Sequence, residues 1–178
     1  MIIYICGVHG VGKTYLCREL HSRYGIRFYT ASELIKNTGD VQLLDSKIVL
    51  TQDKNEEYLT IAIGRIKSSN RQENFILDGH LCLFDALGKV SRLKLETILK
   101  ISPDFLILLT EDVNVIVERI KKRDNYNQDI NQIKALQIEE ERYANEVSKQ
   151  LNIPLYTSRG KKDIDSISTE IVKIINAA

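Results

Sequence analysis

Residues Gly7-Val8-His9-Gly10-Val11-Gly12-Lys13-Thr14 fit the pattern G-x-x-x-x-G-K-[ST], between the apolar run Ile2-Ile3-Tyr4-Ile5-Cys6 and a stretch with helical character. No other feature constrains the fold as strongly, because a strand must deliver this segment and a helix must leave it. Glycines at 7, 10 and 12 allow tight turns and close approach to phosphate oxygens, so that successive N–H groups, Val11 included, face one anion-binding concavity. A helix starting near Lys13 adds its partial positive N-terminus. Lys13 then reaches terminal phosphates as a point charge, and the Thr14 hydroxyl completes the coordination of a Mg²⁺ ion that otherwise keeps its waters. A nucleoside triphosphate with magnesium is the implied ligand. His9 occupies a variable position of the pattern and receives no catalytic role.

Strand-like and helix-like segments alternate along the whole chain, which predicts a parallel sheet with helices on both faces. Strands are expected at residues 2–6, 26–29, 75–79, 105–109 and 154–157, the run Phe105 to Leu109 being apolar enough for a central strand. Helices are expected at about 13–24, from a capping box at Thr30-Ala31-Ser32-Glu33 to near Gly39, at about 56–69 and at about 92–100. Val113, Ile116, Val117 and Ile120 mark another helix, broken by the Asn- and Asp-rich stretch 124–129. Ile133, Leu136, Tyr143, Val147 and Leu151 mark a long helix, and Ile164, Ile167, Ile171 and Ile174 a final one. Residues 40–55 are polar and poorly periodic and read as a mobile connection.

With 178 residues, 43% of them hydrophobic, the chain is long enough for one domain with a sizeable core, residues 1–178. Lysine and arginine number 25 against 24 acidic residues, so the global field favours neither a nucleic acid nor a lipid surface. Cys6, Cys17 and Cys82 are an odd set without metal-ligand spacing, which points to reduced thiols and a cytoplasmic location. The first strand runs straight into the phosphate loop, leaving no room for a signal segment, and no apolar run has membrane-spanning length. Oligomeric state is not legible.

A triphosphate site that does chemistry needs an acid at the end of a neighbouring strand to hold the magnesium, directly or through water. Asp78 closes an apolar strand and is followed by Gly79, which allows close backbone approach. Glu111 and Asp112 compete for the role, although Asp112 stands where it would cap the helix starting at Val113. Phosphoryl transfer further needs cations against the moving charge. The segment Arg119-Ile120-Lys121-Lys122-Arg123-Asp124 offers them on a movable lid, at about 121–130, and Arg142 could join them; a merely solvated basic face is the plainer alternative.

With the loop, Asp78-Gly79-His80, the Arg119/Arg123 pair and Arg142 in this order, the chain resembles the nucleoside monophosphate kinases of the phosphate-loop class, most closely the compact archaeal-type adenylate kinases. The resemblance covers nearly the whole chain. It implies an α/β, three-layer P-loop NTPase fold with a five-stranded parallel sheet, helices on both faces and a short lid, and transfer of the ATP γ-phosphoryl group to a nucleotide. By position it implies Lys13 on the β- and γ-phosphates, Thr14 and Asp78 around Mg²⁺, Arg119, Arg123 and Arg142 on the transferred group, and Arg119 and Ser158 also on the ATP. Ser32 and Lys36 fall where the family carries its monophosphate-binding helix, and about 30–70 would form the acceptor region with His80. Lys36 stands where many relatives have arginine, keeping the charge without the planar fork. His80 replaces a common aromatic, and Leu81 and Cys82 lie near where a proline and a phosphate-binding arginine are usual. A small alcohol or a polynucleotide end as acceptor, with Asp78 as base, is the nearest alternative. A nucleotide-dependent switch or assembly ATPase is a second one. No N-K-x-D motif supports a GTPase switch, and no acid pair on strand 105–109 supports an AAA-type ATPase.

Overall fold

The computed structural model describes residues 1–39, 51–69, 74–125, 127–159 and 164–177. β1 (Ile2–Cys6) is buried along its entire length and pairs in parallel with two strands, β3 (Phe75–Asp78) and β6 (Phe105–Thr110). A strand covered on both faces must be apolar throughout, and Ile2-Ile3-Tyr4-Ile5-Cys6 is. β2 (Arg27–Thr30) and β7 (Leu155–Arg159) complete a five-stranded parallel sheet in the order β2-β3-β1-β6-β7. The strand order reverses beside β1, so the crevice beyond its carboxyl end is where such a sheet receives ligands. The phosphate loop lies there.

Helices cover the sheet: α1 (Lys13–Tyr24), α2 (Ala31–Thr38), α3 (Gln52–Ser69), α4 (Leu95–Ile101), α5 (Val113–Asp124), α6 (Ile130–Leu151) and α7 (Ile164–Ala177). Local signals account for several ends. Thr30 Oγ1 accepts from the Glu33 N–H at 3.3 Å and starts α2, while the Asp112 and Asp129 carboxylates cap α5 and α6. Gly25, Asn125 and Asn152 end α1, α5 and α6 in the left-handed region.

Four boundaries depart from expectation. α3 begins at Gln52 rather than near Glu56, so 52–55 are helical and not part of a loose connection; residues 40–50 of that expected connection lie outside the described residues. The expected helix from Arg92 starts at Leu95, because residues 82–92 form an antiparallel hairpin of β4 (Cys82–Phe84) and β5 (Val90–Arg92). Its turn is made by Asp85, whose carboxylate accepts the Leu87 and Lys89 N–H groups, and by Gly88 at φ 73°. Three-residue strands carry too little alternation to be read from sequence. The supposed lid is still helical through Asp124, and α6 resumes at Ile130. The last strand runs on to Arg159, which brings Ser158 into the sheet.

All three cysteines are buried and free. Among the described residues no helix is long and apolar enough to cross a membrane.

Candidate active site

The loop leaves β1 at Gly7, whose φ of 142° and whose closeness to the Leu109 carbonyl, 2.5 Å from a notional Cβ, admit no side chain. Lys13 opens α1 and is buried, its Nζ donating to the carbonyls of Gly7 at 2.7 Å and Val8 at 3.2 Å. The ammonium is thus folded back over the concavity in which an anion would sit. Burial pushes the Lys13 pKa down, while Asp78 and Glu140 pull it back up.

Thr14 Oγ1 donates to Asp78 Oδ2 at 2.7 Å, joining the first turn of α1 to the end of β3. The sheet enforces this, since Ile5 on β1 is in register with Asp78. Gly79 is required by Tyr4: any Cβ there would lie 2.5–2.9 Å from the tyrosine ring and hydroxyl, and Tyr4 Oη donates to the His80 carbonyl at 2.8 Å. Burial raises the Asp78 pKa, the Lys13 charge and the Thr14 bond oppose this, and Glu33 adds to the rise.

His80 Nδ1 lies 3.5 Å from Lys13 Nζ, and its ring packs against His9 with centroids 4.1 Å apart. Burial and then Lys13 keep the His80 imidazole well below its ordinary pKa, and the same two causes take His9 down to about 4. Both rings are therefore neutral near pH 7.

Arg119 joins this cluster from α5. Its guanidinium donates to the carbonyls of Gly10 and Val11 at 3.3 and 3.1 Å and to Glu111 Oε2 at 2.9 Å. Glu111 is therefore the anchor of Arg119, while Asp112 is a helix cap. Arg123 is exposed and bound to its neighbour Asp124. Arg142 is also exposed and pairs with Glu139 and Glu146, the two acids that hold Arg92. Lys13, Thr14, Asp78, His80 and Arg119 thus converge on the loop, and the Arg123–Asp124 pair lies close enough to act on the charge of His9 within it, whereas the partners of Arg142 lie on its own helix. Ser32 and Lys36 are exposed on α2, which starts where Thr30 pairs with Asp78. Ser158 is buried beside Leu109, and its hydroxyl has no partner among the described residues.

Glu140 is the residue that sequence reading passed over. It is fully buried, with Oε1 accepting from the Gly7 and Leu81 N–H groups at 2.8 and 2.9 Å and Oε2 from Cys82 N–H at 2.6 Å. The signal was present: Glu140 interrupts the apolar stripe Ile133, Leu136, Tyr143, Val147, where a carboxylate demands a partner.

Residues 6–137 match the family described as AAA domain, which is most of the chain. The chain belongs to this family. An archaeal protein of Methanocaldococcus jannaschii, provisionally named an adenylate kinase, is 27% identical over 98% of this chain and 86% of its own length. The adenylate kinase of Methanopyrus kandleri is 26% identical over 83% of this chain and 80% of its own length. Among solved structures, deoxyadenosine kinase from M. mycoides superposes with a TM-score of 0.60 at 18% identity, covering all of both chains. Shikimate kinase from Acinetobacter baumannii gives 0.58 at 16% identity, over 99% of this chain and 93% of that one. The fold is that of the phosphate-loop kinases. The family carries the AAA name although β6 bears no acid pair, the feature that weighed against an AAA-type ATPase; the named relatives are kinases.

Proposed function

We propose that this phosphate-loop kinase transfers the γ-phosphoryl group of ATP to a nucleoside monophosphate, in the manner of an adenylate kinase. The observation that carries the reading is the join between loop and strand, Thr14 Oγ1 to Asp78 Oδ2 at 2.7 Å, with buried Lys13 beside it. Relatives named adenylate kinase, in sequence over most of the chain, supply the acceptor class.

Magnesium fits this donor set. A hydroxyl and a carboxylate are hard oxygen ligands, and no group of three His, Cys, Asp or Glu that could cage an ion occurs among the described residues. Mg²⁺ takes such sites with one or two protein oxygens, the rest being water and phosphate. When bound it neutralises charge on the phosphate oxygens.

Lys13 exchanges its loop carbonyls for the β- and γ-phosphates, and the loop N–H groups other than that of Gly7, which Glu140 holds, line the same anion. Arg119, already against the loop, faces the charge that develops on the transferred group, and Arg123 and Arg142 join it by leaving their present acidic partners. Ser32 and Lys36 on α2, with His80, face the acceptor, and buried Ser158 stands beside the nucleotide base. Transfer is direct and in line, with no covalent enzyme intermediate, and closure of the segment between α5 and α6 excludes the water that would hydrolyse ATP.

An initial-rate screen of nucleoside monophosphates with ATP and Mg²⁺ tests this. ADP formation should depend on one or a few monophosphates, and a rate that none of them raises would refute it. A hydroxyl acceptor is favoured by one observation, the burial that raises the proton affinity of Asp78, as a general base requires. Sugars, small alcohols and RNA ends therefore belong in the same screen.

A further inference from the structure

Glu140 makes contacts that neither the family pattern nor the site chemistry accounts for. Three backbone N–H groups donate to it, with the Cys82 thiol beside them, and an ionised carboxylate, which only accepts, satisfies all of these donors. Two of them lie in different segments of the site. Gly7 is the first residue of the phosphate loop, and Leu81 follows His80, which stands 3.5 Å from Lys13. A single oxygen, Oε1, bridges these two segments. The helix that carries Glu140 also grips the following hairpin: Glu139 and Glu146 hold Arg92, and Tyr143 Oη donates to the Leu93 carbonyl at 2.7 Å.

We propose that Glu140 is a positioning residue of the nucleotide site, a buried clamp on α6 that fixes the start of the phosphate loop against the His80 segment and so keeps the loop open for the triphosphate. Gly7 follows β1 directly, its N–H is held by this carboxylate, and its own carbonyl receives Lys13. Without the clamp the Gly7 N–H is left unpaired in a buried place, and the loop can relax toward other partners before any nucleotide arrives.

This inference rests on the reading of residues 7–14 as the triphosphate site, and a binding experiment separates the two. Mg·ATP is titrated calorimetrically into the wild type, Glu140→Gln and Tyr143→Phe, with the thermal midpoint of each recorded. Glutamine keeps the length and shape but turns a donor toward one of the three N–H groups. Its Kd for Mg·ATP should rise about 10-fold or more at near-unit stoichiometry. Tyr143→Phe loosens the same helix on the same hairpin without touching the loop, so its Kd should stay within about twofold while its midpoint falls. Three results would overturn the inference: Glu140→Gln binding as tightly as wild type, a reduced fraction of binding-competent protein with unchanged Kd, or an equal loss in Tyr143→Phe. No binding of Mg·ATP by the wild type would overturn the reading of the loop as well.

Discussion

The two halves of the site are built differently. On the donor side, Gly7, Lys13, Asp78 and Glu140 are buried or flanked by buried residues, and their positions are fixed by sheet register and by hydrogen bonds to backbone. On the acceptor side, α2 has no fully buried residue, its candidate contacts Ser32 and Lys36 are exposed, and residues 40–50 beyond it lie outside the described structure. Under the proposed function the donor half is held by buried contacts, and acceptor choice falls to side chains at the surface. Substitutions on the donor side should abolish turnover with every acceptor; those on the acceptor side should change only which acceptor is used and how tightly.

The largest effect expected is that of Lys13→Ala. Removing the buried ammonium that reaches the loop should lower kcat/KM by about 10³-fold with any acceptor, measured by coupled ADP formation. A loss confined to one acceptor would break the comparison at its strongest point. Asp78→Asn should cost about 10²-fold in kcat, and the loss should persist at saturating Mg²⁺ if the carboxylate positions the ion. Near-normal activity would remove Asp78 from the site.

Lys36→Ala is the matching test on the other side. It should raise the KM for the acceptor by about 10-fold and leave the KM for ATP unchanged, and Lys36→Arg should lower the acceptor KM by supplying a bidentate fork. Equal changes in both KM values would show that the halves are not separable.

His9 gives the smallest effect. Its pKa falls from 6.5 to about 4 in the folded chain, so on acidification the unfolded state takes up the proton first. The stability conferred by the neutral ring is therefore complete above about pH 6.5 and declines from there toward pH 4. Thermal midpoints at pH 7 and pH 5 should differ more for wild type than for His9→Asn. Parallel behaviour of the two proteins would mean that the burial of His9 near Lys13 is not felt.

The same division decides what the sequence made legible. The loop motif, the apolar strands and the caps at Thr30 and Asp112 are local signals, and each one lies where local physics put it. The 82–92 hairpin was missed because its strands are short and its contacts come from distant helices, α6 through Glu140 and the ion pairs of Arg92, and α3 through Gln52. Glu140 and Glu56 were missed for a related reason. Both occupy apolar positions of their helices, and both find partners far away in sequence: the loop for one, and Lys94 and Thr97 for the other. A buried acid in a helical stripe announces that a partner exists without naming it. Arg123 and Arg142 were legible as cations, but which acids they pair with, Asp124 beside His9 for one and Glu139 and Glu146 on α6 for the other, is not encoded in any local pattern.

The central claim is a donor site completed by a monophosphate. Phosphorus NMR of the protein with ATP, Mg²⁺ and each nucleoside monophosphate in turn tests it most directly, because it shows where the γ-phosphoryl group goes. The account predicts that the γ-signal of ATP disappears into nucleoside diphosphates, without inorganic phosphate, only when the right monophosphate is present. Release of inorganic phosphate at a rate indifferent to every monophosphate would contradict it.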